Sequence, residues 1–429
     1  MISHIKCYII KLKHNIVTLY LCSIHAKYDE RGFCSSSAII KASMNILLFD
    51  FLGSYIQSDL IACLTLSGHH CDNFPYSLHD KCQDDAFTFL MKKQMQNAAY
   101  DCVITTNFYP VVAKQCYLSG IPYLSWSYDC PMNLTDIDTF SYPSNYIFLF
   151  DREDYHRYRD MGFTTVYHLP LAVNTARLSQ IPYLQSPHHD SVSFVGSLYD
   201  SPLPILQSKM PPYDRGYIDA LVNAQRNVYG AYFIEDLLYP SLIDSIRTSC
   251  QSILSSGSRL TKAELSYAIA TSITHLERIS LLRLFADFSA PALYTRQISD
   301  ETRQLLPGIK ICPPVSYEQE MPCVFHNSLI NLNPTLKCIR SGIPLRALDI
   351  LGSGGFLLSS YQPELAEHFE SDCELVLYES LEDAAEKGKF YLTHDSLREK
   401  IARNGYEKVC HDFTYPDRIH QMFQTAGLN

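Results

Sequence analysis

Arg346 and Asp349 stand three residues apart in the run Ser341-Gly342-Ile343-Pro344-Leu345-Arg346-Ala347-Leu348-Asp349-Ile350-Leu351-Gly352. Leu345, Leu348 and Leu351 recur at helical spacing, so the run predicts a helix with one apolar stripe. Ser341 or Gly342 would cap its start, with Pro344 in the first turn. Unpaired N–H groups and the dipole at such a start favour an anion. Arg346 adds a fixed charge whose planar fork suits a diphosphate. Asp349, one turn on, offers two acceptor oxygens to a ribose diol. A plain surface ion pair has the same spacing, and Gly352 to Gly355 equally suits an ordinary helix stop. Upstream, Ser328-Leu329-Ile330-Asn331-Leu332-Asn333-Pro334 reads as a buried strand entering a polar loop and adds Asn331 and Asn333 to the candidates.

A second group surrounds the single tryptophan. Trp126 stands with Tyr123, Tyr128 and Asp129 just after a strand end. An aromatic platform beside a carboxylate suits a sugar acceptor and a general base, although aromatics beside Pro131 also suit interface packing. Asn107, after Thr105-Thr106, is a candidate of the same kind, and Gly53 would let a ligand approach the backbone closely. Asp136-Ile137-Asp138 has a metal-binding spacing but only three residues of signal. His188-His189 and the scattered cysteines lack zinc-ligand spacing. The sequence holds no G-x-x-x-x-G-K-[ST], G-x-S-x-G or H-E-x-x-H, which removes the common NTPase, hydrolase and metalloprotease readings.

Short apolar runs at 46–49, 102–105, 121–125 and 146–150 alternate with helix-like segments at 54–67, 84–99 and 111–118. Continuous rather than alternating apolar runs imply a parallel sheet covered on both faces. A stretch with Pro182, Pro187 and His188-His189 reads as a linker. Strand signals then resume at 191–196, 292–294, 329–332, 356–359 and 375–378, with a helical insertion over about 213–288. The tail, 397–426, reads as helical apart from a break near 412–416. The expected architecture is two facing doubly wound α/β domains, 44–185 and 190–429.

Composition narrows the classes. A 429-residue chain suits two or three domains, and 47% hydrophobic with 19% charged residues suits a globular core. A net charge of −10 argues against a nucleic-acid partner bound by broad phosphate neutralisation. Fifteen cysteines, odd in number and without C-x-x-C, point to buried thiols in a reduced cytoplasmic setting. Residues 1–43 carry six basic and two acidic side chains, which leaves −14 for the rest. They read as a leader, either disordered or upstream of the working start site, or as a targeting segment. Their apolar stretch at 16–24 is too short to span a bilayer. Any membrane association is therefore expected to be peripheral.

The run from Asn331 through Arg346, Asp349 and Gly354-Gly355 to Tyr361-Gln362-Pro363-Glu364-Leu365 resembles the C-terminal domain of group 1 glycosyltransferases. More closely, it is similar to the bacterial spore-maturation (CgeB-type) glycosyltransferase-like proteins. The likeness continues over 383–392, 401–409, Phe413-Thr414-Tyr415, Tyr123-Leu124-Ser125-Trp126-Ser127-Tyr128-Asp129-Cys130-Pro131 and Phe194-Val195-Gly196-Ser197-Leu198-Tyr199. It spans nearly everything from Met44 onward except the helical insertion. The resemblance implies the GT-B fold, two facing Rossmann-like domains, and metal-independent transfer of a sugar from a nucleotide-sugar donor. It places Asp349 where group 1 enzymes carry the second acidic residue of an E-x7-E signature, which holds the ribose. Arg346 precedes it as in CgeB-type sequences, and Gly196-Ser197 fall on the turn where relatives seat the donor phosphates. Ser341 stands where the first Glu, which contacts the transferred sugar, would be.

The combined expectation is a glycosyltransferase of the hexosyltransferase type, cytoplasmic and bacterial, with neither metal nor cofactor. Its donor would lie near Gly196, Ser197, Asn331, Asn333, Arg346, Asp349, Gly354 and Gly355. Arg346 would neutralise the leaving diphosphate. A glycan, protein or lipid acceptor would meet Gly53, Asn107, Trp126 and Tyr128, with Asp129 as base if the transfer inverts. The alternatives are a non-catalytic nucleotide-sugar or glycan-binding protein and a nucleotide-sugar epimerase, the former prompted by Ser341.

Overall fold

The computed structural model describes residues 43–51, 53–132, 137–253 and 260–428. The leader expected over 1–43 lies outside them, apart from Ser43.

Six strands form the first sheet: β1 (Asn45–Asp50), β2 (His70–Pro75), β3 (Cys102–Thr106), β4 (Tyr123–Ser127), β5 (Asn145–Leu149) and β6 (Val166–His168). All are parallel, in the order β2-β1-β3-β4-β5-β6. The second sheet holds β7 (Val192–Val195), β8 (Pro291–Tyr294), β9 (Lys310–Cys312), β10 (Ile330–Asn333), β11 (Leu357–Ser360) and β12 (Val376–Tyr378). It too is all parallel, in the order β12-β11-β10-β7-β8-β9. β3, β4, β8, β10, β11 and β12 are buried along their whole length, as continuous apolar runs demand when helices cover both faces. Three helices matter to the first half: α1 (Gln57–Leu66), α2 (Asp85–Asn97) and α3 (Pro110–Ser119).

The helical segment between β7 and β8 begins at Leu203 and ends at Ala286. Its long helix, Lys262–Ala286, starts in a capping box: the Thr261 hydroxyl accepts from the Glu264 N–H while the Glu264 carboxylate accepts from the Thr261 N–H. This segment carries a core of its own, including Ile218, Ile246, Ile269 and Ile273. The tail breaks at Phe413 and Thr414, between the helices Asp395–Asp412 and Tyr415–Ala426. Tyr415–Ala426 then crosses back onto the first half, packing on α1 and β5. One apolar cluster therefore runs from Ile46 and Leu48 to Leu348, Tyr415 and Phe423.

The two halves are tied at Asp151. It caps the helix Arg152–Asp160, its Oδ1 accepting from the Asp154 N–H at 3.0 Å. Its Oδ2 accepts the consecutive N–H groups of Arg340, Ser341 and Gly342 at 2.7, 3.0 and 3.2 Å. A Cβ on Gly342 would lie 2.9 Å from the Asp151 Cα, so glycine permits this approach. Neither Ser341 nor Gly342 caps the following helix, contrary to expectation. Asp151 draws both into the interface, and the helix begins later, at Leu345–Gly352, with Pro344 at the N-cap position. Nearby, the buried Glu364 accepts from the Arg152 N–H at 2.9 Å and the Ser341 hydroxyl at 2.7 Å.

Replacing Asp151 strands several buried donors at once, each costing about 1–3 kcal/mol. Asp151→Ala should lower unfolding free energy by about 3 kcal/mol in urea titrations. A loss under about 1 kcal/mol would show that the 340–342 loop is held by other contacts.

Candidate active site

A cleft of about 1060 Å³ opens between the two halves. Strand ends bring loops to it, as expected where ligands bind parallel sheets. From the first half it receives Lys81, Tyr128 and Asp129. From the second it receives Gly196, Ser197, Arg278, Arg346 and Asp349.

Arg346 is the second residue of its helix, and its Nη1 donates to the Asn333 Oδ1 at 3.2 Å. Its guanidinium lies 5.1 Å over the Phe194 ring. A Cβ on Gly196 would sit 2.5 Å from Nη2, so the turn after β7 must be glycine for Arg346 to lie there. Arg278, from Lys262–Ala286, approaches the same Phe194 ring at 5.1 Å and the Tyr199 ring at 4.8 Å. It is 2% exposed and donates to the carbonyl of Pro334 at 2.8 Å and to that of Ser197. Burial and then the neighbouring Arg278 charge push Arg346 down to about 10, which leaves it cationic at neutral pH. Nearby ion pairs close elsewhere, Glu277 on Lys337 and Asp59 on Arg177. Two converging guanidiniums thus present their charge to the cleft.

Asp349 is 6% exposed and accepts from the Tyr317 hydroxyl at 3.0 Å. Burial pushes its carboxyl up to about 7, against the opposing effects of the Tyr317 bond and Arg177. Across the cleft, Asp129 accepts from the Asn107 Nδ2 at 2.8 Å. Asn107 has a left-handed backbone, φ 67°, and its Oδ1 accepts the N–H groups of Tyr128 and Asp129 at 3.0 and 3.2 Å. One residue with a left-handed backbone therefore fixes, through its side chain, the tip beyond β4. Burial raises the Asp129 pKa, while the Asn107 bond and Lys81 lower it.

Several sequence candidates stand away from the cleft lining. Trp126 is fully buried, packed edge-on against Tyr415 at 5.7 Å, with its Nε1 donating to the Leu169 carbonyl at 3.4 Å. The tail helix covers its face of the sheet, so Trp126 is core and not an acceptor platform. Asn331 is a sheet staple, accepting from Ser193 at 2.7 Å and donating to the carbonyls of Phe325 and Phe356 at 2.9 and 3.2 Å. Asn333 is wholly buried and reaches the cleft only through Arg346. Gly355 packs against the Phe325 carbonyl, and Gly354 borders a separate hollow beside His326. Gly53 contributes its carbonyl, which accepts from the Tyr128 hydroxyl at 3.4 Å. Ser341 bonds Asp151 and Glu364 in the interface. Asp136 lies outside the described residues, among which no three His, Cys, Asp or Glu side chains group as metal ligands.

Sequence reasoning missed Arg278, Tyr317 and Lys81. The signal for Arg278 was the charged pair Glu277-Arg278 inside the otherwise uncharged buried face running from Leu265 to Leu282.

Residues 294–424 match a family model described as glycosyl transferase-like. No curated protein matches the sequence significantly. Among solved structures, a glycosyltransferase from Rickettsia africae superposes with a TM-score of 0.55 at 9% identity, covering 90% of this chain and 98% of that one. Sucrose-phosphate synthase from Thermosynechococcus elongatus gives 0.53 at 10% identity, covering 89% and 98%. HepE of Anabaena in complex with UDP-glucose gives 0.50 at 11% identity, covering 90% and 99%. At such identities the likeness is one of fold: the two facing parallel sheets are the GT-B arrangement, and residues 294–424 within it are the part that is similar to the glycosyl transferase-like family model.

Proposed function

We propose that this protein transfers a glycosyl group from a nucleoside-diphosphate sugar to an acceptor hydroxyl, without a metal. The observation that carries the reading is the convergence of Arg278 and Arg346, both lining the cleft, on the buried ring of Phe194. A diphosphate supplies the negative charge this pair lacks, and its oxygens match the guanidinium fork. HepE holds UDP-glucose on the same fold, which makes a uridine-linked hexose the first donor to test. The run around Arg346 and Asp349 supports membership of the bacterial CgeB type, with a cytoplasmic location.

In the proposed reaction the diphosphate lies across Gly196, Ser197 and the start of Leu345–Gly352, and Asp349 binds the ribose diol. Asp129 takes the proton of the acceptor hydroxyl as that oxygen bonds to the anomeric carbon. The bond from the anomeric carbon to the phosphate oxygen breaks, and the nucleoside diphosphate leaves with its electron pair, stabilised by Arg346 and helix N–H groups. The base and the leaving group lie on opposite walls of the cleft, a geometry suited to inversion.

Calorimetric titration with UDP-glucose, followed by product analysis, tests the reading. Transfer with an inverted anomeric centre is expected. Binding without turnover would instead identify a binding protein, and interconversion of the free nucleotide sugar an epimerase. Arg346→Ala should weaken UDP binding by about 2 kcal/mol, or some thirtyfold, the scale of a charge-assisted contact. Unchanged affinity would remove Arg346 from the phosphate site.

Asp129→Asn should leave UDP-glucose affinity intact while lowering kcat by about 10²–10⁴, the usual range for a lost general base. The Asp349 carboxylate offers two charged acceptor oxygens to a diol only when ionised, and its pKa stands at about 7. UDP-glucose affinity should therefore rise as pH passes through about 7 and level off about one unit above it. In Asp349→Asn the same titration should be flat.

A further inference from the structure

α2 and α3 lie side by side on the outer flank of the first sheet. The Val111 N–H bonds to the Lys81 carbonyl at 3.0 Å at one end, and the Ser119 hydroxyl meets the Met95 sulfur at 3.6 Å at the other. Phe87 and Met91 of α2 bury inward, while Phe89, Lys92 and Lys93 point to solvent. On α3, Lys114, Tyr117 and Leu118 do the same. Phe89 is 70% exposed and Leu118 65%. Single exposed apolar residues are ordinary, but here they interleave with three lysines and a single outward acid, Asp85. The lysines that pair with carboxylates among the described residues are Lys310, Lys337, Lys387 and Lys408, all in the second half.

The chain as a whole carries −10, so an anionic surface repels it except where the local charge is reversed. We infer that the outward face of α2 and α3 docks on an anionic lipid bilayer, with Phe89 and Leu118 entering the headgroup layer and Lys92, Lys93 and Lys114 meeting lipid phosphates. Apolar side chains interleaved with cationic ones are what an interfacial surface requires. Each lysine contributes about fivefold to partitioning onto such a surface, so three give about a hundredfold preference over neutral lipid. The face ends at Lys81, which also borders the cleft. A docked molecule would thus hold the acceptor side of its cleft at the lipid surface. Docking itself does not depend on the reading of the cleft.

Co-sedimentation of the full chain with vesicles tests this. Phosphatidylcholine containing about 40% phosphatidylglycerol should retain the protein about a hundredfold better than phosphatidylcholine alone, and less so as salt rises. Lys92→Glu/Lys93→Glu/Lys114→Glu should abolish the preference, and Phe89→Ser/Leu118→Ser should weaken binding to both vesicle types about tenfold. UDP-glucose affinity, unchanged in both variants, would show that each is folded; should the cleft bind no nucleotide, matching thermal melts serve the same purpose. Equal binding to neutral vesicles, no binding to either, or binding that survives the triple lysine variant would overturn the inference. So would a dimer, seen in sedimentation velocity, that Phe89→Ser/Leu118→Ser dissociates, because a second copy would then be the occupant.

Discussion

Two guanidiniums held against one phenyl ring form an unfavourable arrangement, and much of the second half is organised to tolerate it. Desolvation disfavours the charge on both Arg278 and Arg346, and the neighbouring Arg278 charge further disfavours that on Arg346. The Phe194 ring offers each a face, and oriented dipoles supply the rest: the carbonyls of Pro334 and Ser197 for Arg278, the Asn333 amide oxygen for Arg346. Those acceptors come from the ends of β7 and β10, neighbours at the centre of the sheet. Lys262–Ala286 must cross these strand ends to deliver Arg278. The insertion is therefore part of the site as well as a packing unit.

The opposite wall depends on how firmly the halves are joined. Asp151 gathers three N–H groups of the 340–342 loop, and Arg177 joins Asp59 of α1 to the Glu318 carbonyl. The returning tail helix adds an apolar tie through Tyr415 and Phe423. With both sides fixed, Asn107 can hold Asp129 facing the guanidinium pair across the cleft. Its left-handed backbone costs about 1–3 kcal/mol, a strain that the surrounding hydrogen bonds maintain.

Sheet strands were legible because burial on both faces writes itself as apolar runs. β3, β4, β10 and β11 follow such runs closely. β2 (His70–Pro75), with its polar side chains and exposed edge, gave no such signal, nor did the three-residue strands β6 and β9. At the site, Arg346 and Asp349 were readable because one helix carries both. Arg278 was not, because its role comes from a helix that meets the Gly196 turn only in three dimensions. Trp126 misled for a related reason: adjacent residues of a strand face opposite ways, and the face it takes is closed by a helix almost 300 positions later in the sequence. The asparagine side chains show the same limit, since Asn331 staples the sheet while Asn333, two residues on, orients Arg346.

Ser341 acquires a physical account in the same terms. Its hydroxyl donates to Glu364 and Asp151, so the position serves the joint between the halves and leaves the cleft without a carboxylate there. Asp349, pushed up to about 7, is only partly ionised at neutral pH. Asp349 therefore opposes the two arginines with less than one full negative charge. The neutral hydroxyl at 341 adds no charge to oppose the pair. The neutral side chain at 341 and the pairing of Arg278 with Arg346 thus belong to one electrostatic arrangement.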